Sequence, residues 1–255
     1  MNLPDSTTAA APKRVDYGID APPVVRNLVL ASIGAVALGA AAYALLVPAR
    51  RLLAALLGGW GIVAGSSMLL TAGLMLWSSK VGKLRERDRL LATHDWRGDE
   101  IVLDVGCGPG LLLIGAARRL TAGKAIGVDI WQRQDESGNR PERTWANAQA
   151  EGVAERIELK TGDMRELPFE DGSVDLVVSS LALHNIYDPI GRAAAVCEIA
   201  RVLRPGGQAL ILDFQRTDEY ATVLRELGWS DVQRTARRFH MFPPVRWVTG
   251  TKPIQ

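Results

Sequence analysis

Two carboxylates and three glycines are spaced so that they can hold a cationic nucleoside. The run Val102-Leu103-Asp104-Val105-Gly106-Cys107-Gly108-Pro109-Gly110 carries an apolar strand into a glycine-rich loop, with a helical pattern directly after it. Glycine tolerates positive φ and leaves room for a ligand against the backbone. Asp129 follows about 20 positions later, where a carboxylate can accept both hydroxyl hydrogens of a ribose. A dinucleotide loop would read G-x-G-x-x-G and set a pyrophosphate on the helix N-terminus. Here the loop is G-x-G-x-G, and Leu111 occupies the third dinucleotide glycine's place. Asp104 would repel a pyrophosphate and attract an ammonium. These charges favour S-adenosylmethionine, which carries an ammonium and a sulfonium and no phosphate. His184 is the candidate general base for a hydroxyl or an acidic C–H. A structural bond from its ring to nearby backbone is the competing reading.

Alternating elements must position these groups. Strands are predicted at 101–105, 125–129, 157–160, 174–179 and 208–212, with 232–237 and 246–251 closing the sheet. Helices are predicted at 111–120, 142–151, 191–203 and 220–227. Such alternation implies an α/β, doubly wound and mostly parallel sheet that binds its ligand beyond the carboxyl ends of the strands.

The stretch 85–253 resembles the class I S-adenosylmethionine-dependent methyltransferases. VLDVGCGPG is similar to their first motif, and GVDI (127–130) to the ribose-binding acid. TGDMRELPF (161–169) is similar to the segment that meets the adenine, DLVVSSLALHNI (175–186) to the fourth motif, and RVLRPGGQALILDF (201–214) to the turn into the fifth strand. The resemblance implies a seven-stranded Rossmann-like sheet with the last strand antiparallel. It implies cofactor contacts from Asp104, Gly106, Cys107, Gly108, Gly110, Asp129, Ile130, Asp163, Met164 and Ser179. Asp163 also reads as a turn residue, Met164 and Leu181 as core, and Pro205-Gly206-Gly207 as a tight turn. The segment 131–143 is longer than usual; Trp131 either stacks beside the adenine or belongs to a surface insertion. Phe214, Tyr220, His240 and Phe242 are candidates for the acceptor pocket.

The first eighty residues differ in kind. Residues 1–23 read as a mobile tail rich in Ala, Pro and Thr. Two uncharged runs, 28–47 and 52–77, each match the roughly 20 residues a bilayer-crossing helix needs, with Pro48-Ala49-Arg50-Arg51 between them. We read a transmembrane hairpin over 24–79; two buried helices of a soluble protein are the competing reading. Small residues at Ala31, Ala35, Gly39, Gly61 and Gly65 permit close helix approach, and homo-oligomers through Gly61 and Gly65 are a possible use. Arg50 and Arg51 face Lys13, Arg14, Arg26, Lys80, Lys83, Arg85, Arg87 and Arg89 across the hairpin, so the positive-inside rule puts tail and main domain in the cytoplasm at the cell membrane. Residues 80–97 form a basic linker helix, either lying on acidic lipid heads or packed on the domain of 98–255.

A net charge of +2 without an aromatic-interleaved basic stripe argues against nucleic acid. Cys107 and Cys197 make neither a disulfide framework nor a zinc site, and no metal site is read. The expected function is a membrane-anchored methyltransferase for a lipid, quinone or other hydrophobic small molecule. A tethered enzyme for a soluble substrate, or a non-catalytic membrane-attached binding protein, stands as the alternative. Asp129→Ala is expected to abolish S-adenosylmethionine binding in calorimetry; unchanged affinity would remove the ribose role.

Overall fold

The computed structural model describes residues 15–131 and 139–254. α1 (Pro22–Leu46) and α2 (Arg51–Trp77) pack as a hairpin. Twenty-five residues at about 1.5 Å each make α1 roughly 37 Å long, more than the roughly 30 Å of a hydrocarbon core. Both helices are long and apolar enough to cross a membrane, and neither is covered by the rest of the chain. Leu30, Leu38, Leu45, Leu52, Trp60 and Leu70 all stand exposed.

Inside the hairpin the small residues face each other. A Cβ on Gly61 would sit 2.6 Å from the Ala35 carbonyl oxygen and 2.8 Å from the Gly39 Cα. Ser32 Oγ donates to the Gly65 carbonyl at 2.7 Å. The small face of Gly61 and Gly65, read above as a possible self-association surface, is occupied by α1 of the same chain.

α2 continues without a break through a π-helical turn (Ser78–Gly82) into α3 (Lys83–Leu91). The basic helix packs on the domain: Lys83, Glu86, Arg87, Leu90 and Leu91 are all buried. Lys83 Nζ donates to the Tyr17 carbonyl at 2.7 Å and to Asp20 Oδ1 at 3.0 Å. Arg238 Nε donates to Glu86 Oε2 at 2.6 Å, and Phe242 N–H to Ser78 Oγ at 2.8 Å. Gly82 lacks the Cβ that would overlap the His240 carbonyl. Of the expected mobile tail, 1–14 lie outside the described residues, whereas 15–20 are docked. Tyr17 is buried in the core, and Asp16 is tied to Arg143, Asn147 and Lys80. An aromatic that finds a core slot, with ion pairs on either side, overrides the tail-like composition.

Seven strands follow: β1 (Ile101–Val105), β2 (Lys124–Asp129), β3 (Ile157–Thr161), β4 (Val174–Ser180), β5 (Leu203–Asp213), β6 (Gln233–Arg234) and β7 (Arg246–Thr251). Their order is β3-β2-β1-β4-β5-β7-β6, with β7 antiparallel to both neighbours and the other pairs parallel. α4 (Leu111–Ala117) and α5 (Pro141–Ala150) lie with α3 on one face; α6 (Pro189–Val202) and α7 (Thr217–Glu226) cover the other. Alternation in β1 feeds both cores, Val102 toward Leu112 and Ile114, Leu103 toward Val196 and Ile199. β5 starts earlier than expected, because Pro205-Gly206-Gly207 forms an irregularity inside the strand instead of a turn before it. α3 descends beside α4, so residues 15–20, 78–82 and 238–243 all join hairpin to domain at the carboxyl edge of the sheet.

Gly61→Val is expected to lower the thermal midpoint of the detergent-solubilised chain, since overpacking costs about 1–3 kcal/mol. Gly59→Val should change it little, because nothing lies within 4 Å of a Cβ there. Equal effects of the two would contradict the packing.

Candidate functional site

The loop after β1 turns sharply because Gly106, Gly108 and Gly110 adopt φ of 72°, 47° and 89°. Gly106 and Cys107 donate N–H to the Val128 carbonyl at 2.8 and 3.1 Å, so the loop leans over the end of β2. A Cβ on Gly106 would collide with the Ala182 methyl and lie 3.3 Å from Met164 Cε. Three segments thus converge on one glycine: the loop, the turn after β4 and the turn after β3.

Asp129 is buried at the end of β2. Its Oδ2 accepts from Gly108 N–H at 2.9 Å, and its Oδ1 accepts from Trp131 N–H at 2.7 Å and Asn139 Nδ2 at 3.1 Å. A carboxylate offers about four acceptor sites, so a ribose diol binding through both hydroxyls has to displace one of these donors. Asp104 is 1% exposed. Its Oδ2 accepts from Leu113 N–H at 2.7 Å in the first turn of α4, and its Oδ1 has no partner. Burial, opposed by the Leu113 N–H and reinforced by the Asp129 charge, pushes the Asp104 carboxyl up to about 8. Burial, then the charges of Asp104 and Asp129, push the Cys107 thiol well above its ordinary range.

Other expected contacts sit differently. Ile130 is half exposed at the mouth of the loop. Trp131 Nε1 donates to Thr161 Oγ1 at 3.0 Å, and residues 132–138 of the long segment lie outside the described residues. Asp163 is held by Arg165, whose Nη2 and Nε lie 2.6 and 3.1 Å from its Oδ2, and it accepts the Arg165 N–H at 2.9 Å. That Arg165 contact holds its carboxyl below the usual range. Ser179 is buried and donates to the Val105 carbonyl at 2.8 Å, pinning β4 to β1. The loop's own supports went unread in the sequence. Thr144 Oγ1 donates to the Gly108 carbonyl at 2.6 Å, and Asn147 Nδ2 to the Pro109 carbonyl at 2.9 Å. Only their one-turn spacing on a helix facing the loop hints at them.

Across the sheet, His184 lies in a 3-10 turn (Leu183–Asn185) with its Nδ1 2.9 Å from Asp213 Oδ1. Its ring packs edge-on against Phe214 at 4.6 Å. Asp213 is fully buried at the end of β5 and also accepts from Phe214 N–H at 2.8 Å and Tyr220 OH at 3.2 Å. Burial first, then the Asp213 charge, push the Tyr220 hydroxyl strongly upward. Tyr220 therefore supports Asp213 from the core, with its side chain fully buried. His240 and Phe242 pack on the hairpin base instead, so of the four suggested acceptor residues only Phe214 stands beside His184.

Residues 103–211 match the family model described as a methyltransferase domain. This stretch is similar to methyltransferase domains. The demethylmenaquinone methyltransferase of Symbiobacterium thermophilum is 38% identical over 128 residues, 50% of this chain and 47% of that one. The chain spans about half the length of the curated relatives it matches. A solved S-adenosylmethionine-dependent methyltransferase from Aquifex aeolicus superposes with TM-score 0.53 at 18% identity, covering 66% of this chain and 90% of that one. The 4+2 cyclase SpnF superposes with TM-score 0.56 at 19% identity, covering 68% and 81%. These two likenesses concern the fold. The hairpin lies outside the residues that match the methyltransferase domain.

The residues fit the cofactor in two respects visible in the structure. The methyltransferase domain has a loop that a Cβ at Gly106 would fill, and beside it a buried carboxylate oxygen without a donor. A native carboxyl that keeps its proton to about pH 8, against an unfolded value near 4, makes stability fall as pH rises through that window. A cation bound beside Asp104 favours the ionised form. S-adenosylmethionine binding between pH 6 and 7.5 should therefore release close to one proton, read from the buffer dependence of the calorimetric enthalpy. Asp104→Asn should release none; equal release from both proteins would sink this assignment.

Proposed function

We propose that the chain is a membrane-anchored S-adenosylmethionine-dependent methyltransferase whose acceptor is a hydrophobic molecule resident in the bilayer, of lipid or quinone type. The supporting observation is a shared edge: the glycine loop, the His184 turn and all three junctions with the apolar hairpin lie at the carboxyl ends of the strands. The demethylmenaquinone methyltransferase among the relatives supports an acceptor of quinone type. Uncovered apolar helices support the anchor, and the charge asymmetry across it supports a cytoplasmic domain.

When bound, the cofactor supplies a methyl group on a sulfonium, so the chain's tasks are alignment, exclusion of water and proton handling. Asp129 and the Gly108 backbone take the ribose, Asp104 faces the ammonium, and Ile130 and Met164 flank the adenine. Asp163 would take the adenine amino group. The Asp213 carboxylate 2.9 Å from Nδ1 orients the His184 ring, and Nε2 is the atom that would accept a proton from an acceptor hydroxyl or acidic C–H. Phe214 holds the ring's tilt.

Incubating the full chain with methyl-labelled cofactor and a total membrane lipid extract should place label in the organic phase. Label confined to aqueous products would favour a soluble acceptor, and binding without transfer a non-catalytic protein. His184→Gln is expected to lower kcat by about 10²–10⁴ while cofactor affinity holds, as general-base loss does. An unchanged kcat removes the base.

A further inference from the structure

Neither the cofactor loop nor His184 uses a positive patch on the same edge. Arg234 ends β6, Arg237 lies in the loop that follows, and Arg246 begins β7, paired in register with Asp213. Arg246 Nη1 donates to the Thr235 carbonyl at 2.7 Å and Arg234 Nε to Thr217 Oγ1 at 2.9 Å, both neutral oxygens. Among the described residues none of the three arginines has a carboxylate within ion-pair distance. Loss of solvent, then the positive charges of Arg234 and Arg237, push the Arg246 guanidinium below its ordinary value, with Asp218 acting the other way. Crowded guanidinium groups without a counter-charge gain from an anion, and phosphate matches their forked donors.

The same loop carries Phe239, which is 74% exposed. Three residues on, Phe242 packs against Val25, Ala72 and Met75 at the base of the hairpin, and the loop is fixed there through Ser78. An exposed aromatic and an unneutralised arginine cluster therefore stand where the apolar helices meet the domain.

We propose that Arg234, Arg237, Arg246 and Phe239 form a docking surface for the phosphate groups of anionic lipids in the bilayer that holds the hairpin. Arg246 adjoins Asp213 in the strand register, so docking turns this edge of the sheet to the headgroup layer. This rests on the membrane reading of the hairpin. Continuity with the helix bases and charge complementarity favour a lipid surface over a soluble anion.

The test uses the full chain in lipid nanodiscs of neutral phosphatidylcholine, or with one third phosphatidylglycerol. Phe239→Cys carries an environment-sensitive fluorophore, with the exposed Cys197 replaced by Ser and the buried Cys107 retained. Emission should shift to the blue only in anionic discs and revert in high salt. Three basic residues near a charged surface favour the docked state by roughly a hundredfold, which R234Q/R237Q/R246Q should abolish. Arg237→Glu alone, at an exposed position, should weaken the shift while leaving cofactor affinity intact. Equal emission in both discs, or an unaltered shift in both variants, would overturn the proposal. Reversal by millimolar glycerol phosphate would overturn it in favour of a soluble anion. A chain that stays in solution without entering either disc would remove the anchor reading, and this surface with it.

Discussion

Gly106 leaves β1 at a φ of 72° and donates its N–H to Val128, and that one bend sets what every neighbouring element can do. It carries the chain over the end of β2, where Gly108 meets Asp129, and into α4, whose first turn meets Asp104. A side chain at Gly106 would push away Ala182 and Met164, and with them the turns after β4 and β3. Thr144 and Asn147 hold the loop from the opposite side through its carbonyls. Cofactor pocket and acceptor side are therefore joined through backbone contacts, which tolerate little rearrangement.

The hairpin is attached through buried charge. Lys83 with Asp20, and Arg238 with Glu86, bridge segments far apart in sequence. Each pair sets one buried charge, Lys83 or Glu86, against a partly exposed partner, so these contacts fix geometry more than they add stability. Asn147 links the junction to the pocket, since it bonds both Asp16 and the Pro109 carbonyl. The domain is consequently held in one orientation to the helix bases, with its ligand-binding edge toward them.

A fold shared by a methyltransferase and a cyclase shows why chemistry has to be argued from side chains. The glycine loop and the two carboxylates concern the cofactor. His184, Asp213 and Phe214 form a separate group, in the turn after β4 and at the end of β5.

The sequence by itself determined what is local: the strand–loop–helix around Gly106, the carboxylate closing β2, the alternation that makes the sheet, and two helices of bilayer length. Glycine spacing, side-chain period and run length are properties of neighbouring residues, so they can be read without coordinates. Only tertiary structure decided the partnerships. Asp213 behind His184, Tyr220 buried beneath it and the α1 face against Gly61 all depend on which surfaces meet. So does the docking of residues 15–20, where a composition typical of a loose tail is overruled by one buried tyrosine and its flanking ion pairs. Sequence separations of up to 164 residues lie between such tertiary partners, and no periodic or compositional signal spans that distance.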